Sequence, residues 1–315
     1  MGAQCSLQCS QWFPVQISID TRDRLPSTGN MIPRFGLGTW LSEGKGEAYN
    51  AVTIALRNGY RLIDTAALYN NEEDVGRAIK ESKIPRNEIY VVTKLDPEEH
   101  NNPVKALKVS LRKLGLEYVD LYLIHSPKGK QVLNAWNALI KAKEKGLAKD
   151  IGVSNFGVEQ LEKLRQSGCS EMPAVNQIEL HLWNQQNETI KYLKENKIAV
   201  MGYCPLGCFV LIEWMLPICT TRRLKRLNSS SLVDDVLVAK KCNLTVPQLA
   251  IRWSVQKGYI TIPKSSNENR IKENSNIFGK CRIPKHMMEE LEKVDEGFEA
   301  SNSVKSMNIP WEDVK

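Results

Sequence analysis

Residues 59–69 read GYRLIDTAALY, and this stretch contains the unit from which the fold can be predicted. A helical pattern stops at Gly59, a short apolar run then covers residues 61–65, and Asp64 stands near its end, before a polar turn. Short apolar, β-branched runs are typical of buried strands in a parallel sheet that is covered by helices. The stretch therefore predicts one such strand, with a carboxylate at its carboxyl end.

The same unit recurs along the chain. Eight strands are predicted, at Phe35–Trp40, Arg61–Thr65, Ile89–Lys94, Val119–His125, Lys149–Ser154, Ala174–Glu179, Ala199–Cys204 and Tyr259–Lys264. Helical spacing of apolar residues separates most of them, as in Leu107, Leu111 and Leu114 before Gly115. Eight parallel strands with helices between them can close on themselves, so we predict an α/β protein with a single (β/α)8 TIM barrel. Residues 1–30 are expected to form an N-terminal tail and lead-in segment, and residues 31–315 the barrel.

Each predicted strand has a polar or aromatic residue at or next to its carboxyl end. These residues are Thr39, Asp64, Lys94, His125, Ser154, Gln177, Tyr203 and Lys264. The carboxyl ends of the strands of a barrel surround one mouth, where enzymes of this architecture build their sites. We therefore expect an active site at the C-terminal face of the strands.

The composition excludes several classes of protein. The 315 residues carry 43 Lys and Arg against 36 Asp and Glu, a net charge of +7 without a long basic run, which argues against nucleic-acid binding. No apolar stretch is long enough to span a membrane, and the N-terminus lacks the apolar core of a secretory signal. Eight cysteines without zinc-type spacing indicate neither a disulfide scaffold nor a metal site. These observations predict a cytoplasmic globular protein without a metal.

Four of the polar side chains suggest a specific chemistry. Asp64, Lys94 and His125 follow successive strands, and Tyr69 lies five residues after Asp64. A phenol is a weak acid unless a nearby cation stabilises its anion, and a carboxylate can hold that cation in place. Each residue alone has an ordinary structural explanation, such as an ion pair or a hydrogen-bonded histidine, but together they make an acid that can protonate a carbonyl oxygen. The set contains no reductant, so a cofactor must supply the hydride.

Five segments carry a resemblance to a known family. They are Gly59–Gly76 (GYRLIDTAALYNNEEDVG), Leu123–Pro127 (LIHSP), Ile151–Phe156 (IGVSNF), Gly202–Gly207 (GYCPLG) and Ile262–Asn274 (IPKSSNENRIKEN). With these segments the chain resembles the aldo-keto reductase superfamily from about Ile32 onward. The short interval between His125 and Trp136 is similar to that of the shorter subgroup, which includes prostaglandin F synthases and diketogluconate reductases.

The resemblance implies roles for individual residues. Tyr69 would donate the proton, with Lys94 and Asp64 tuning it and His125 orienting the substrate carbonyl. The cofactor NADPH (NADP+) would contact Thr39, Ser154, Asn155, Gln177, Tyr203, Leu206, Lys264, Ser265, Arg270 and Asn274. Within this set, Lys264, Ser265 and Arg270 would hold the 2′-phosphate, for which two cations and a hydroxyl are suited. Trp40 and Ser126 would line the substrate pocket, although rim packing is an alternative for Trp40.

The chain departs from the family pattern after the seventh predicted strand. Tyr203 and Lys264 are 61 residues apart, and the surplus lies in an atypical insertion at about 207–231. It is interpreted as a flap over the mouth of the barrel, with a segment for a membrane surface or a partner, or a poorly ordered insertion, as alternatives.

The first residues, MGAQCS, fit the pattern for N-myristoylation at Gly2, with Cys5 as a candidate palmitoylation site. One acyl chain binds a membrane only marginally, whereas two anchor a protein, so membrane contact is expected only if this N-terminus is acylated. The alternative is an unmodified tail.

These patterns favour an NADPH-dependent reductase that converts aldehydes and ketones to alcohols and acts as a monomer on small carbonyl compounds. The alternative is a cofactor-binding regulatory subunit of the same fold, similar to the potassium-channel β subunits, that retains the acid residues but turns over slowly.

Overall fold

The computed structural model describes residues 18–42, 44, 46–129, 131–207, 238–280 and 282–297. The strands are β1 (Arg22–Arg24), β2 (Met31–Pro33), β3 (Leu37–Gly38), β4 (Leu62–Asp64), β5 (Tyr90–Leu95), β6 (Val119–Ile124), β7 (Ala148–Ser154), β8 (Val175–Glu179), β9 (Ala199–Tyr203) and β10 (Ile260–Ile262). The helices are α1 (Glu47–Arg57), α2 (Glu72–Glu81), α3 (Pro103–Leu114), α4 (Val132–Glu144), α5 (Val158–Gln166), α6 (Asn187–Glu195), α7 (Val246–Gln256), α8 (Glu268–Ser275) and α9 (Lys285–Glu292).

Strands β3 to β10 form one parallel sheet in which each strand pairs with its neighbours in chain order. The sheet closes between its first and last strands through parallel bridges from Phe35 to Thr261 and from Gly38 to Lys264. The backbone N–H of Gly38 donates to the carbonyl oxygen of Pro263 at 3.1 Å at this seam. The prediction of a (β/α)8 barrel is confirmed, and each of the eight predicted strands matches one of these strands to within a few residues.

The helix predicted to stop before Gly115 is confirmed as α3. Helix α3 has Pro103 in its first turn, where a missing N–H costs nothing, and ends at Gly115, which adopts a left-handed conformation with φ of 64°. Helix α7 is capped by Thr245, whose side chain accepts a hydrogen bond from the N–H of Gln248, while the side chain of Gln248 accepts one from the N–H of Thr245. These caps fix the points at which the chain enters or leaves each helix.

Apolar side chains form two layers on opposite faces of the sheet. The larger layer lies between the sheet and the helices and contains Val52, Leu111, Trp136 and Trp253. The smaller layer fills the inside of the barrel with residues such as Leu62, Val92, Leu121, Val175, Met201 and Ile262. Because side chains alternate along a strand, a parallel sheet with both faces covered reads as continuous apolar runs. The interior is thus packed, and only the ends of the barrel are open to polar side chains.

A short antiparallel hairpin, β1 with β2, adds to the barrel at its N-terminal end. Leu25 and Ile32 from this hairpin pack against the barrel interior. Neither strand was predictable from the sequence, because three residues with one exposed end carry no alternation that could be recognised. The hairpin closes the end of the barrel opposite to the predicted site.

Several predictions concern segments that the structure does not describe. Gly2 and Cys5 lie outside the described residues, and so does the predicted insertion, apart from Gly207. Among the helices within the described ranges, none is both long and apolar enough to cross a membrane.

Candidate active site

The carboxyl ends of β4, β5 and β6 bring four predicted residues to one end of the barrel. Asp64 is the last residue of β4, Lys94 is the penultimate residue of β5, and His125 directly follows β6. Tyr69 ends a short 3₁₀ helix, Ala67–Tyr69, that follows β4. The N–H of Tyr69 donates to the carbonyl oxygen of Ala66 at 3.1 Å, which closes the single turn of this helix.

The ammonium group of Lys94 joins three of the elements at this end. It donates to Oδ1 of Asp64 at 2.6 Å, to the carbonyl oxygen of Thr65 at 2.9 Å and to the phenol oxygen of Tyr69 at 3.2 Å. Lys94 and Asp64 are almost completely buried. All three protons of the lysine therefore have partners, and its position relative to the phenol is fixed.

Burial and charge set the protonation states of this cluster. Burial raises the pKa of Asp64 and lowers the pKa of Lys94, but each charge opposes the shift of the other, so the two remain an ion pair. Burial, together with the charge of Asp64, raises the pKa of Tyr69 well above its usual value. Tyr69 is consequently a neutral phenol at physiological pH, with a cation against its oxygen.

His125 completes the cluster with a neutral ring. Its ring meets that of Tyr69 edge-on, with centroids 5.5 Å apart and planes inclined by 77°. Burial, and secondarily the charge of Lys94, lower the pKa of His125 to about 3. Its Nδ1 is buried without a hydrogen-bond partner among the described residues. The imidazole is therefore uncharged and serves as a hydrogen-bonding group rather than as a competing acid.

The residues predicted for the nicotinamide form one hydrogen-bonded chain across β7, β8 and β9. Tyr203 donates from its hydroxyl to Oδ1 of Asn155 at 2.7 Å, and Asn155 donates from Nδ2 to the carbonyl oxygen of His125 at 3.0 Å. Ser154 donates to the carbonyl oxygen of Gln177 at 2.9 Å. Gln177 donates to Asp64, which links this chain to the acid cluster. Asn155 adopts φ of 63°, which asparagine tolerates better than most residues.

The residues predicted for the 2′-phosphate lie after β10 and on the first turns of α8. Lys264 donates from Nζ to the carbonyl oxygen of Leu41 at 3.1 Å, and the same Nζ lies 3.6 Å from Oε1 of Glu47. Ser265 is buried, whereas Arg270 projects from α8 into solvent. Asn274, predicted to contact the adenine, is buried on the same helix.

Four further predicted residues surround this centre. Thr39 is completely buried and donates from Oγ1 to the carbonyl oxygen of Asp64 at 2.9 Å. Leu206 is partly buried and packs against the outer apolar layer. Trp40, which follows β3, is half-buried, and Ser126, next to His125, accepts a hydrogen bond from the N–H of Lys128 at 3.2 Å. Trp40 and Ser126 therefore lie at the mouth of the barrel.

Sequence reasoning missed two polar residues that hold this centre together, Asn71 and Glu72. Asn71 accepts a hydrogen bond from Thr65 and donates one to the carbonyl oxygen of Thr39. Glu72 accepts one from Thr93, the neighbour of Lys94. The bonds of Asn71 join the segments that follow β3 and β4, and the bond of Glu72 joins α2 to β5. The only signal in the sequence was the run NNEE after Tyr69.

Comparisons with known proteins agree with this geometry. The model of the aldo/keto reductase family matches residues 34–296. The chain is 38% identical to glycerol 2-dehydrogenase (NADP(+)) of Saccharomyces cerevisiae, over 84% of this chain and 89% of that protein. It is 39% identical to 9,11-endoperoxide prostaglandin H2 reductase of Trypanosoma cruzi, over 84% and 88%.

Among solved structures, the aldo-keto reductase of Bombyx mori in complex with NADP is 33% identical, with a TM-score of 0.78, over 90% of this chain and 94% of that one. A family match over most of the chain, with relatives above 30% identity at nearly full length, establishes the family. The protein belongs to the aldo/keto reductase family and is an oxidoreductase of that family.

Proposed function

We propose that this protein reduces aldehydes and ketones to alcohols, with NADPH as the reductant and Tyr69 as the proton donor. The observation that carries the proposal is the position of Lys94, whose ammonium group contacts both Asp64 and the phenol oxygen of Tyr69. The names of the relatives support the choice of cofactor, since one is an NADP(+)-dependent dehydrogenase and another was solved with NADP.

Tyr69 holds its proton until the substrate oxygen becomes basic. Its raised pKa keeps the phenol protonated in the resting site, so no proton is lost to solvent beforehand. As the carbonyl oxygen gains negative charge, the phenol donates its proton, and the phenolate that remains is stabilised by Lys94 at 3.2 Å. Asp64 keeps the ammonium group at that distance and balances its charge.

His125 orients the carbonyl oxygen. A neutral imidazole with a pKa of about 3 does not donate a proton outright at physiological pH, but one ring nitrogen can donate a hydrogen bond. Edge-on contact with Tyr69 directs the two side chains to the same point in the mouth of the barrel. A carbonyl oxygen at this point would accept hydrogen bonds from both, which polarises it before the reaction.

The polar groups beyond this cluster fit a nicotinamide cofactor. When bound, NADPH supplies the hydride that adds to the carbonyl carbon. Gln177 uses its Nε2 to reach Asp64, and its Oε1 remains as an acceptor for a carboxamide N–H. The donor hydrogens of Asn155 and Ser154 are used in hydrogen bonds within the protein, so these two residues would line the nicotinamide rather than donate to it. Tyr203 would offer a ring to stack on, and Thr39 and Leu206 further contacts along the cofactor.

Two cations are suited to the adenosine end of the cofactor. Lys264, Ser265 and Arg270 would hold the 2′-phosphate, and the described structure gives Arg270 no carboxylate partner that would compete. Asn274 would contact the adenine. A 2′-phosphate bound by these residues would favour NADPH over NADH.

The substrate would enter between Trp40 and Ser126. Every proposed catalytic residue comes from one chain, so a monomer suffices for activity. The relatives suggest small carbonyl compounds as first tests, because one is a methylglyoxal reductase and another a glycerol dehydrogenase.

NADPH oxidation, followed by absorbance with methylglyoxal and a panel of aldehydes and ketones, tests the proposal in wild type and in Tyr69→Phe. The variant is expected to bind NADPH, as measured by fluorescence titration, but to lose activity by roughly 100-fold or more. Tyr49→Phe, which alters a phenol on the outside of α1, is the matched control and should retain wild-type activity. Full activity in Tyr69→Phe would contradict the acid role. Tight NADPH binding without turnover of any carbonyl in the wild type would favour the regulatory subunit instead.

A further inference from the structure

Glu72 is a buried carboxylate next to the proposed acid cluster, and the chemistry described above does not use it. It is the first residue of α2 and follows Tyr69 by three positions. Only 2% of its surface is exposed. Its Oε1 accepts a hydrogen bond from the hydroxyl of Thr93 at 2.7 Å.

This hydrogen bond joins the segment that carries Tyr69 to the strand that carries Lys94. Thr93 and Lys94 are neighbours on β5, so their side chains project to opposite faces of the sheet. Lys94 points into the barrel toward Tyr69, and Thr93 points outward to α2. A link one residue before the lysine and three residues after the tyrosine restricts the two from moving apart.

The second carboxylate oxygen of Glu72 bears on the charge of the cluster. Oε2 is buried and has no hydrogen-bond partner in the part of the chain that the structure describes. An ionised carboxylate in such surroundings is costly unless a charge of opposite sign compensates it. The charge of Glu72 acts on Lys94. Burial lowers the pKa of Lys94, whereas the charge of Asp64 and, to a smaller extent, that of Glu72 raise it.

We infer that Glu72 is a positioning residue, which holds the Tyr69 segment against β5 and supplies Lys94 with a second negative charge from behind the strand. The inference rests on the proposed function of the same site. It assigns to Glu72 two effects that can be separated, one through the hydrogen bond to Thr93 and one through charge.

Other titratable groups face Lys94 and Glu72 from the neighbouring elements. Asp64, Tyr69 and His125 face Lys94 from β4, from the 3₁₀ helix and from the end of β6. Tyr122 faces Glu72 from β6, where burial, the charge of Glu72 and the charges of Glu99 and Asp96 raise its pKa. Tyr122 stays protonated whether or not Glu72 is charged, so it does not offset the loss of that charge.

Glu72→Gln removes a negative charge and keeps an oxygen that can accept from Thr93. Without the negative charge, Lys94 loses its proton more readily, so the alkaline limb of the kcat profile for carbonyl reduction should move to lower pH. A shift of about half a pH unit or more is expected for a buried charge that acts on Lys94.

The experiment compares four variants of the full chain by NADPH oxidation over pH 6 to 10. Glu72→Gln tests the charge, and Glu73→Gln is its control, since Glu73 is the next residue of α2 and is exposed. Thr93→Val removes the hydrogen bond with little change in shape, and Thr93→Ser restores the hydroxyl. Thermal unfolding of each variant is followed in parallel.

We expect Glu72→Gln to shift the alkaline limb downward, while Glu73→Gln keeps the wild-type profile. Thr93→Val should lower kcat by roughly 10-fold at an unchanged KM for NADPH, and Thr93→Ser should recover most of it. If Glu72→Gln fails to fold, the two Thr93 variants carry the test.

An unshifted limb in folded Glu72→Gln, an equal shift in Glu73→Gln, or wild-type kcat in Thr93→Val would overturn the inference. Each of these results would leave the proposed function standing, because it is judged from active wild-type enzyme. A wild type that reduces no carbonyl overturns the proposed function and the inference with it.

Discussion

Gln177 donates a hydrogen bond from Nε2 to Oδ2 of Asp64 at 2.7 Å, across 113 residues of sequence. The two side chains come from β8 and β4 and meet inside the mouth of the barrel. Lys94 occupies the other oxygen, Oδ1, so both oxygens of this buried carboxylate are satisfied. Gln177 therefore connects the proposed nicotinamide side of the site with the acid cluster, and changing it should affect both.

Replacing Gln177 with leucine tests this connection. The substitution leaves Oδ2 of Asp64 buried without a donor, which should lower the free energy of unfolding by about 1–3 kcal/mol. Urea denaturation of wild type and variant measures the change. Gln166→Leu, at the exposed end of α5, is the control and is expected to change stability little. Equal stability of Gln177→Leu and wild type would show that the hydrogen bond contributes nothing net.

Strand ends were the part of this site that the sequence predicted best. Strands buried on both faces read as apolar runs, so the first polar residue after each run marks the end of a strand. Asp64, Lys94 and His125 were found in this way, and the structure brings them together. The assignment of the barrel followed from the number of such runs and the helical patterns between them.

Glu72 shows why the remainder could not be predicted. An acidic residue at the start of a helix is an ordinary signal, since it favours the helix N-terminus and usually faces solvent. Glu72 is buried where the start of α2 contacts Thr93 of β5, and this contact is a property of the tertiary structure. The contact of Lys264 with Leu41 is similar, because it joins the two ends of the barrel seam across 223 residues.

Gly76, the single glycine of α2, should not tolerate a larger residue. A Cβ atom at this position would lie 2.1 Å from the carbonyl oxygen of Leu114, so α2 could no longer approach α3 as closely. Gly76→Ala is expected to lower the free energy of unfolding by about 2 kcal/mol or more, and, because α2 carries Glu72, to lower kcat as well.

Gly115→Ala is the comparison for Gly76→Ala. Gly115 ends α3 with a left-handed backbone, and no atom lies within 4 Å of a Cβ placed there. Backbone strain alone should lower the free energy of unfolding of Gly115→Ala by about 1 kcal/mol, and kcat should not change. Urea denaturation and steady-state kinetics measure both variants, and an equal loss of stability in the two would contradict the packing argument.

His125 should make the folded protein sensitive to acid. Its pKa falls from 6.5, the ordinary value for a histidine side chain, to about 3 in the fold, so the unfolded chain binds a proton in this window that the folded chain does not. Stability is therefore lost as the pH falls from 6.5 toward 3, by up to about 1.4 kcal/mol per pH unit. His125→Asn should remove this contribution and flatten the dependence of unfolding free energy on pH.

The measurement is urea denaturation between pH 4 and 7 for wild type, His125→Asn and His286→Asn. His286 lies exposed on α9, so its replacement should leave the slope as in wild type. Carboxylates contribute the same background to all three proteins, and the difference in slope isolates His125. Identical slopes for wild type and His125→Asn would show that the histidine is not buried in its neutral form.

Lys264 and Arg270 should determine the preference for NADPH. Both offer charge to a 2′-phosphate that NADH lacks, so replacing either with methionine should raise the Kd for NADPH by roughly 10-fold or more and change the Kd for NADH little. Lys272→Met is the matched control, because Lys272 lies on α8 with Arg270 but forms an ion pair with Glu268 at 2.7 Å. Fluorescence titration with both nucleotides gives the two constants without any need for turnover. An equal loss of affinity for NADPH and NADH in Lys264→Met would mean that the lysine contacts a part of the cofactor that both nucleotides share. That result would contradict its assignment to the 2′-phosphate.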